Sequence, residues 1–346
     1  MSLLRQLYRG GTSFDILRYS RQMLLGSAVL VLVCIGSLVL RGLNLGIEFE
    51  GGVVWEVPSN DASEADMLDV LAEHGVDGAR VQAVGGEIFR IRADAGDPGS
   101  QQDVTAALAE RVGAQVGELS VSEVGPSWGD EITSAAQRAL IVFLIVITLY
   151  LAIRLEVKMA VVTVVALVHD IVITVGFYSI FQLEVTPATV VAFLTIMGFS
   201  LYDGIVVFDR VRENARLLPS RGRMTYRSVV NLSLNQVLMR SINTSLTALL
   251  PVVVLLAVAS LSLGAAVLRE FAVALGIGML VGAYSSLFVA TPLLVPWKER
   301  DADWALRRRT AETTGGEDAS DLAQTVAAAQ YTRSTPPRPR KRTRRR

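Results

Sequence analysis

The stretch from Leu194 to Asn214, LTIMGFSLYDGIVVFDRVREN, constrains this chain more than any other. It is apolar enough to cross a bilayer, yet it carries a carboxylate, Asp203, about two helical turns before a charged exit at Asp209, Arg210, Arg212 and Glu213. An acid at that depth costs roughly 2.5 to 3.5 kcal/mol on insertion scales, so such residues face a bundle interior and mark proton or ion paths. The stretch predicts a membrane protein in which Asp203 carries a proton.

The remainder of the chain fits that solvent. Of its 346 residues 51% are hydrophobic and only 19% charged, which excludes an ordinary soluble globule. Apolar runs at 23–41 and, within 135–296, at roughly Ala135 to Ile153, Met159 to Phe181, Ala188 to Phe208, Val237 to Ala259 and Phe271 to Val295 are each long enough to span. The sequence therefore reads as a polytopic α-helical membrane protein of six transmembrane helices. Arg5, Arg9, Arg18 and Arg21 precede the first run and Arg41 closes it, which reads as a signal anchor with residues 1–22 in the cytoplasm. Arg154, Lys158 and the basic segment 209–236 fall on the same side by the positive-inside rule, so both termini are expected in the cytoplasm. Within 209–236, Tyr226, Val229, Val230, Leu234 and Val237 keep helical spacing, and that part is expected to lie along the inner membrane face. Residues 297–346, ending in PPRPRKRTRRR, read as a disordered basic tail whose charge suits anionic lipids.

Between the first two spans, residues 44–132 turn soluble and acidic. A strand near Phe49 to Val57, a helix from Ser63 to His74, strands at Gly78 to Val84 and Glu87 to Arg92, a helix from Gln101 to Val112 and a strand within Gln115 to Val124 follow in order. Strand, helix, strand, strand, helix, strand is the ferredoxin-like α+β order, here expected outside the cytoplasm. The order fixes a fold and says little about purpose. The single cysteine, Cys34, excludes an internal disulfide and a cysteine-cluster metal site. No Gly-x-x-x-x-Gly-Lys loop occurs, so nucleotide chemistry is not read here; no cofactor, metal or nucleic-acid partner is expected.

Several motifs carry the resemblance to a known family. They are LGIEFEGG at 45–52, LYLAIRLE at 149–156, VHDIVIT at 168–174, MGFSLYDGIVVFDRVREN at 197–214, NLSLNQVLMRSINTSLTALLP at 231–251 and GAYSSLFVATP at 282–292. In family order on this topology, they make the chain resemble the SecF proteins of the SecD/SecF family, in the resistance-nodulation-division superfamily. It departs from that family's pattern at Tyr202, Gly204 and Glu48. The resemblance implies half of a resistance-nodulation-division-type bundle and a non-enzymatic subunit that uses the proton-motive force to assist late steps of preprotein translocation. It further implies SecD as obligate partner and the SecY-SecE-SecG channel and the translocating preprotein as neighbours. It places Asp203 and Arg240 in the proton pathway.

Residue chemistry bears on that pathway too. Asp203 lies near the end of the fourth span and Arg240 near the start of the fifth; the two run antiparallel, so both can sit at similar depth in the cytoplasmic half. A carboxylate alternating between a dry environment and a guanidinium can collect a proton on one side and release it on the other. The competing reading is a static Asp203–Arg240 bridge that only fixes helix packing. Asp170 and His169 in the third span, and Tyr202 beside Asp203, are further proton-pathway candidates. The alternative for His169 and Asp170 is a hydrogen-bonded structural pair or a contact to a neighbouring subunit; neighbouring helix positions point about 100 degrees apart, so at least one of the two is expected to be structural. Ser241, Asn243, Thr244, Ser245 and Thr247, and Gly278, Gly282 and Ser286, read as packing devices between helices. Two rival functions stand beside transport of preproteins. An intramembrane aspartyl protease would need a second aspartate in a Gly-x-Gly-Asp context, which Asp170 lacks. A half-transporter exporting lipids or small molecules is the alternative within the superfamily.

Overall fold

The computed structural model describes residues 14–60, 62–76, 78–84, 88–94, 98–217, 224–261 and 266–314. The basic residues Arg5 and Arg9, the Gly85-Gly86 turn and the chain beyond 314 lie outside the described residues. Six helices among the described residues are long and apolar enough to cross a membrane.

The chain enters through a short 3-10 turn, Ile16–Tyr19, and the first spanning helix α1, Ser20–Arg41. Strand β1, Asn44–Leu45, and a one-turn helix α2, Ile47–Glu50, lead to Gly51 and Gly52. Both glycines have positive φ, +80° and +119°. At Gly52 a side chain would also lie 2.6 Å from the Ala93 carbonyl oxygen, so only glycine turns the chain here into the sheet. Phe49 and Glu50 are therefore helical, and the strand expected from Phe49 begins three residues later. The sheet domain follows: β2, Gly52–Pro58; α3, Glu64–Glu73; β3, Arg80–Val84; β4, Ile88–Ala93; α4, Pro98–Val112; and β5, Ser120–Val124. Its antiparallel strands lie in the order β3-β4-β2-β5, the ferredoxin-like arrangement. Ser63 caps α3 through a capping box with Asp66, which explains where that helix starts.

Alternation on β4 decides how this domain sits. Phe89, Ile91 and Ala93 turn into a core with Trp55, Met67, Leu71, Val104 and Leu108, beneath α3 and α4. Arg90 and Arg92 therefore turn to the opposite face, toward the membrane helices.

The remaining elements are α5, Pro126–Arg154; α6, Val157–Phe181; β6, Glu184–Val185; α7, Pro187–Leu217; α8, Tyr226–Leu261; and α9, Ala266–Ser285. A π-helical turn, Ser286–Ala290, joins α9 to α10, Thr291–Lys298, and α11 spans Ala302–Thr314. Strand β6 pairs in parallel with β1, which fastens the loop between α6 and α7 to the entry of the sheet domain. Helices α6, α7 and α9 form the buried centre, whereas α1, α5 and α8 show much of their apolar surface. Glycines set the close approaches: a side chain at Gly282 would lie 3.0 Å from Ser200 Cβ, one at Gly278 would overlap Ile196, and one at Gly176 would overlap Cys34 of α1.

Three expectations change at the end of the bundle away from the sheet. Much of segment 209–236 is helical, because α7 runs on to Leu217 and α8 starts at Tyr226. Its apolar stripe does not meet lipid: Tyr226, Val229, Val230 and Leu234 are fully buried against protein, with Trp304 edge-on to Tyr226 at 5.0 Å. Residues 302–314 of the expected disordered tail are helical, since Trp304 is held by Tyr226 and by Arg307 stacked 4.6 Å from its ring centre. Asn231 and Asn235 accept from the backbone of Ile16 and Phe14, both at 2.9 Å, tying the chain's entry to the same region.

Candidate functional site

At the centre of the bundle two carboxylates lie buried, 1% exposed at Asp170 and 3% at Asp203. Asp170 comes from α6 and Asp203 from α7. Each is held by serine hydroxyls from two other helices. Ser200 of α7 donates to Asp170 Oδ2 at 2.6 Å and Ser285 of α9 donates to the same oxygen at 2.8 Å. Ser241 of α8 donates to Asp203 Oδ1 at 2.6 Å, and Ser286 donates to Asp203 Oδ2.

The arrangement follows from local geometry. Ser200 and Asp203 are three apart on α7, so they share a face but serve different carboxylates. Ser285 and Ser286 are adjacent, so they diverge around their helix and one reaches each acid. The helix loosens into its π-turn at Ser286, a feature that recurs at functional sites. A serine hydroxyl is short, and the contact at Gly282 brings α9 close enough for it to reach.

The structure places Arg240 elsewhere than expected. Its guanidinium meets the Tyr202 hydroxyl at 3.3 Å, and among the described residues Asp203 is in no ion pair. Tyr202 and Asp203 are neighbours and point apart: Tyr202 is half exposed while Asp203 faces the core. The static Asp203–Arg240 bridge is therefore not formed. Arg240 instead lines a polar cavity of about 400 Å³ with Arg154, Asp209, Arg210, Glu213 and Gln236. That cavity opens at the end of α7 beyond Asp203. Of its lining, Arg210 pairs with Glu213 at 2.6 Å, and Asp209 pairs with Arg212 at 2.5 Å.

His169 and Asp170 form the hydrogen-bonded pair that stood as the alternative to a relay. His169 Nδ1 lies 3.0 Å from Asp170 Oδ1, so an imidazole protonated at Nδ1 donates to its neighbour, whereas Nε2 is buried without a partner. The side chains bend toward each other, which backbone direction alone did not reveal.

Chemically, a carboxylate held by hydroxyls and in no ion pair, as Asp203 is, can change protonation without breaking one. A hydroxyl both donates and accepts, so the serine that donates to the carboxylate can accept from the acid. Sequence reasoning missed Ser200 and Ser285 and read Ser241 and Ser286 as packing residues. The available signals were the Ser-x-x-Asp spacing at 200–203 and the Ser285-Ser286 doublet opposite two buried acids.

Fold and site together define a multi-pass membrane protein with paired intramembrane carboxylates beneath a soluble α+β domain. Residues 104–300 match the family described as "Protein export membrane protein SecD/SecF, C-terminal", and residues 36–60 match the "SecD/SecF GG Motif". Protein translocase subunit SecF of Streptomyces coelicolor is 38% identical over 327 residues, covering 93% of this chain and 87% of that one. Its counterpart in Mycobacterium tuberculosis is 38% identical, covering 95% and 78%. The crystal structure of SecDF from Thermus thermophilus, a translocon-associated membrane protein, is similar with a TM-score of 0.77 at 33% identity. The alignment takes in 87% of this chain and 40% of that longer one. The chain belongs to the SecD/SecF family of protein-export membrane proteins, and the relatives it matches over most of their length are SecF subunits.

Proposed function

We propose that the chain is a proton-driven accessory subunit of preprotein export. Protons passing by Asp203 and Asp170 shift the helices that hold them, and the sheet domain moves in response on the outer side of the membrane. The observation that supports this most is the pair of fully buried carboxylates, each held by two serines from other helices. A proton arriving at either acid changes hydrogen bonds to two neighbouring helices at once. The membrane potential supplies about 2.3 kcal/mol per charge per 100 mV, enough to bias such a change.

In this reading Arg240, Tyr202 and the polar cavity form the cytoplasmic mouth, and His169 extends the path from Asp170. Both termini lie in the cytoplasm of a bacterial cell. A SecD subunit supplies the other half of the bundle against the exposed faces of α5 and α8, as the fused SecDF relative suggests. The SecY-SecE-SecG channel and the emerging preprotein are the further partners. Nothing in the site calls for an enzyme's reaction, and export of lipids or small molecules gains no specific support.

The test is rescue of protein secretion in a SecF-depleted strain. Asp203→Asn, near in shape, is expected to accumulate in the membrane with its partner yet fail to restore export. Full rescue would remove Asp203 from the mechanism.

A further inference from the structure

A second set of buried charges lies far from the serine-held acids, at the seam between sheet domain and helices. Arg90 of β4 places Nη1 at 2.9 Å from Glu184 of β6 and 3.0 Å from Glu270 of α9. Glu56 of β2 stands 3.7 Å from Arg90 Nε, and Arg92 reaches Glu184 at 3.5 Å. The side chains of Glu184 and Glu270 are 8% and 9% exposed. They border a cavity of about 300 Å³ that also takes in Gln82, Tyr178 and Arg269.

The cluster is incompletely satisfied. Glu270 Oε2, Arg90 Nε and Glu48 Oε2 are buried without hydrogen-bond partners. Four carboxylates, Glu48, Glu56, Glu184 and Glu270, face three guanidinium groups, Arg90, Arg92 and Arg269. Burial works against the charge on Arg90, and the carboxylates around it more than offset that, so its pKa stands above the ordinary arginine value. Of the acids, Glu184 has two guanidinium partners and Glu56 is the more exposed. Glu270 shares one nitrogen of Arg90, keeps one carboxylate oxygen buried without a partner, and borders the cavity.

We propose that Glu270 is a further proton-binding group of this chain, apart from the central acids, and that protonating it loosens the grip of Arg90 on α9 and so frees the sheet domain from the bundle. The proton goes onto the unpartnered Oε2, leaving Arg90 to Glu184 and Glu56. Tyr178, which donates to the Glu270 backbone oxygen at 2.9 Å, keeps the helix end in place meanwhile. The same helix carries Ser285 fifteen residues on, a rise of about 22 Å, so α9 connects this seam to the two central acids. That connection rests on the proton-driven reading above; the effect of pH on domain docking does not.

The experiment is a distance measurement between spin labels at Glu110→Cys on α4 and Ser260→Cys on α8, in the full chain in lipid nanodiscs with Cys34→Ala. Between about pH 8 and about pH 5, a range in which exposed carboxylates stay ionised while a buried, desolvated one can take up a proton, the distance distribution is expected to broaden and shift. Glu270→Gln is expected to show the broad distribution throughout. Asp203→Asn, which removes the proposed proton path, is expected to keep the native response. An unchanging native distribution overturns the proposal without any cluster variant, and so does a native response in Glu270→Gln or its loss in Asp203→Asn.

Discussion

Ser285 and Ser286 are sequence neighbours that serve different acids: Ser285 donates to Asp170 at 2.8 Å, and Ser286 donates to Asp203. One helix thus holds both carboxylates, and a change at either is felt by the other through a single turn of backbone. The π-turn that starts at Ser286 leaves that turn less tightly hydrogen-bonded than an α-helix and able to change pitch.

Removing one donor tests whether the serines act or merely pack. Ser286→Ala leaves Ser241 on Asp203. A hydrogen bond to a charged group contributes about 1.5–3 kcal/mol, so proton-coupled export is expected to fall by roughly tenfold or more. The double variant with Ser241→Ala is expected to approach Asp203→Asn. Export rates of single and double variants, compared with their amounts in the membrane, decide the matter, and wild-type rates in the double variant would reduce the serines to packing.

Arg240 and Tyr202 offer a contrast. Their hydrogen bond is long, at 3.3 Å, and exposed, so Tyr202→Phe is expected to change stability by no more than about 0.5 kcal/mol. Arg240→Ala removes the only side chain of that pair with a fixed charge and is expected to impair export strongly at unchanged membrane levels. Equal, small losses from both variants would show that the pair serves packing alone.

The glycine contacts predict stability effects with no chemistry in them. Gly176→Ala meets the Cβ and backbone of Cys34, which cannot swing away, and Gly282→Ala presses on Ser200. Each is expected to cost about 1–3 kcal/mol through overpacking. Thermal melting in detergent measures it, and Gly282→Ala should in addition lower export, because Ser200 holds Asp170.

At the end of the bundle away from the sheet, Asp301 responds to acid. The hydrogen bond from Lys158 lowers its pKa below the ordinary carboxylate value, burial opposes this, and the charges of Lys158 and Lys298 add to the lowering. A carboxylate depressed by folding stabilises above its unfolded pKa, and that contribution disappears as pH falls through the folded one. The tether between α6 and the α10–α11 corner is therefore expected to hold at neutral pH and to release only below about pH 4. Asp301→Asn should reproduce the release at neutral pH, read as faster proteolysis of residues 302–314.

Much of this protein was legible in its sequence because a bilayer leaves few choices. Apolar runs of that length cross as helices, and an acid inside one turns from lipid to protein, so the spans, the sheet order and the burial of Asp203 and Asp170 follow from pattern. The stripe from Tyr226 to Val237 has the same periodicity whether it meets lipid or Trp304, so its partner could not be read. Partner choice depends on rotation and depth of whole helices: those set Asp203 on Ser241 and Ser286, Arg240 on Tyr202, and Arg90 between two distant glutamates. Spacing along one chain fixes which face a residue shares, but which other face it meets is decided only when the helices close on the glycines that let them approach.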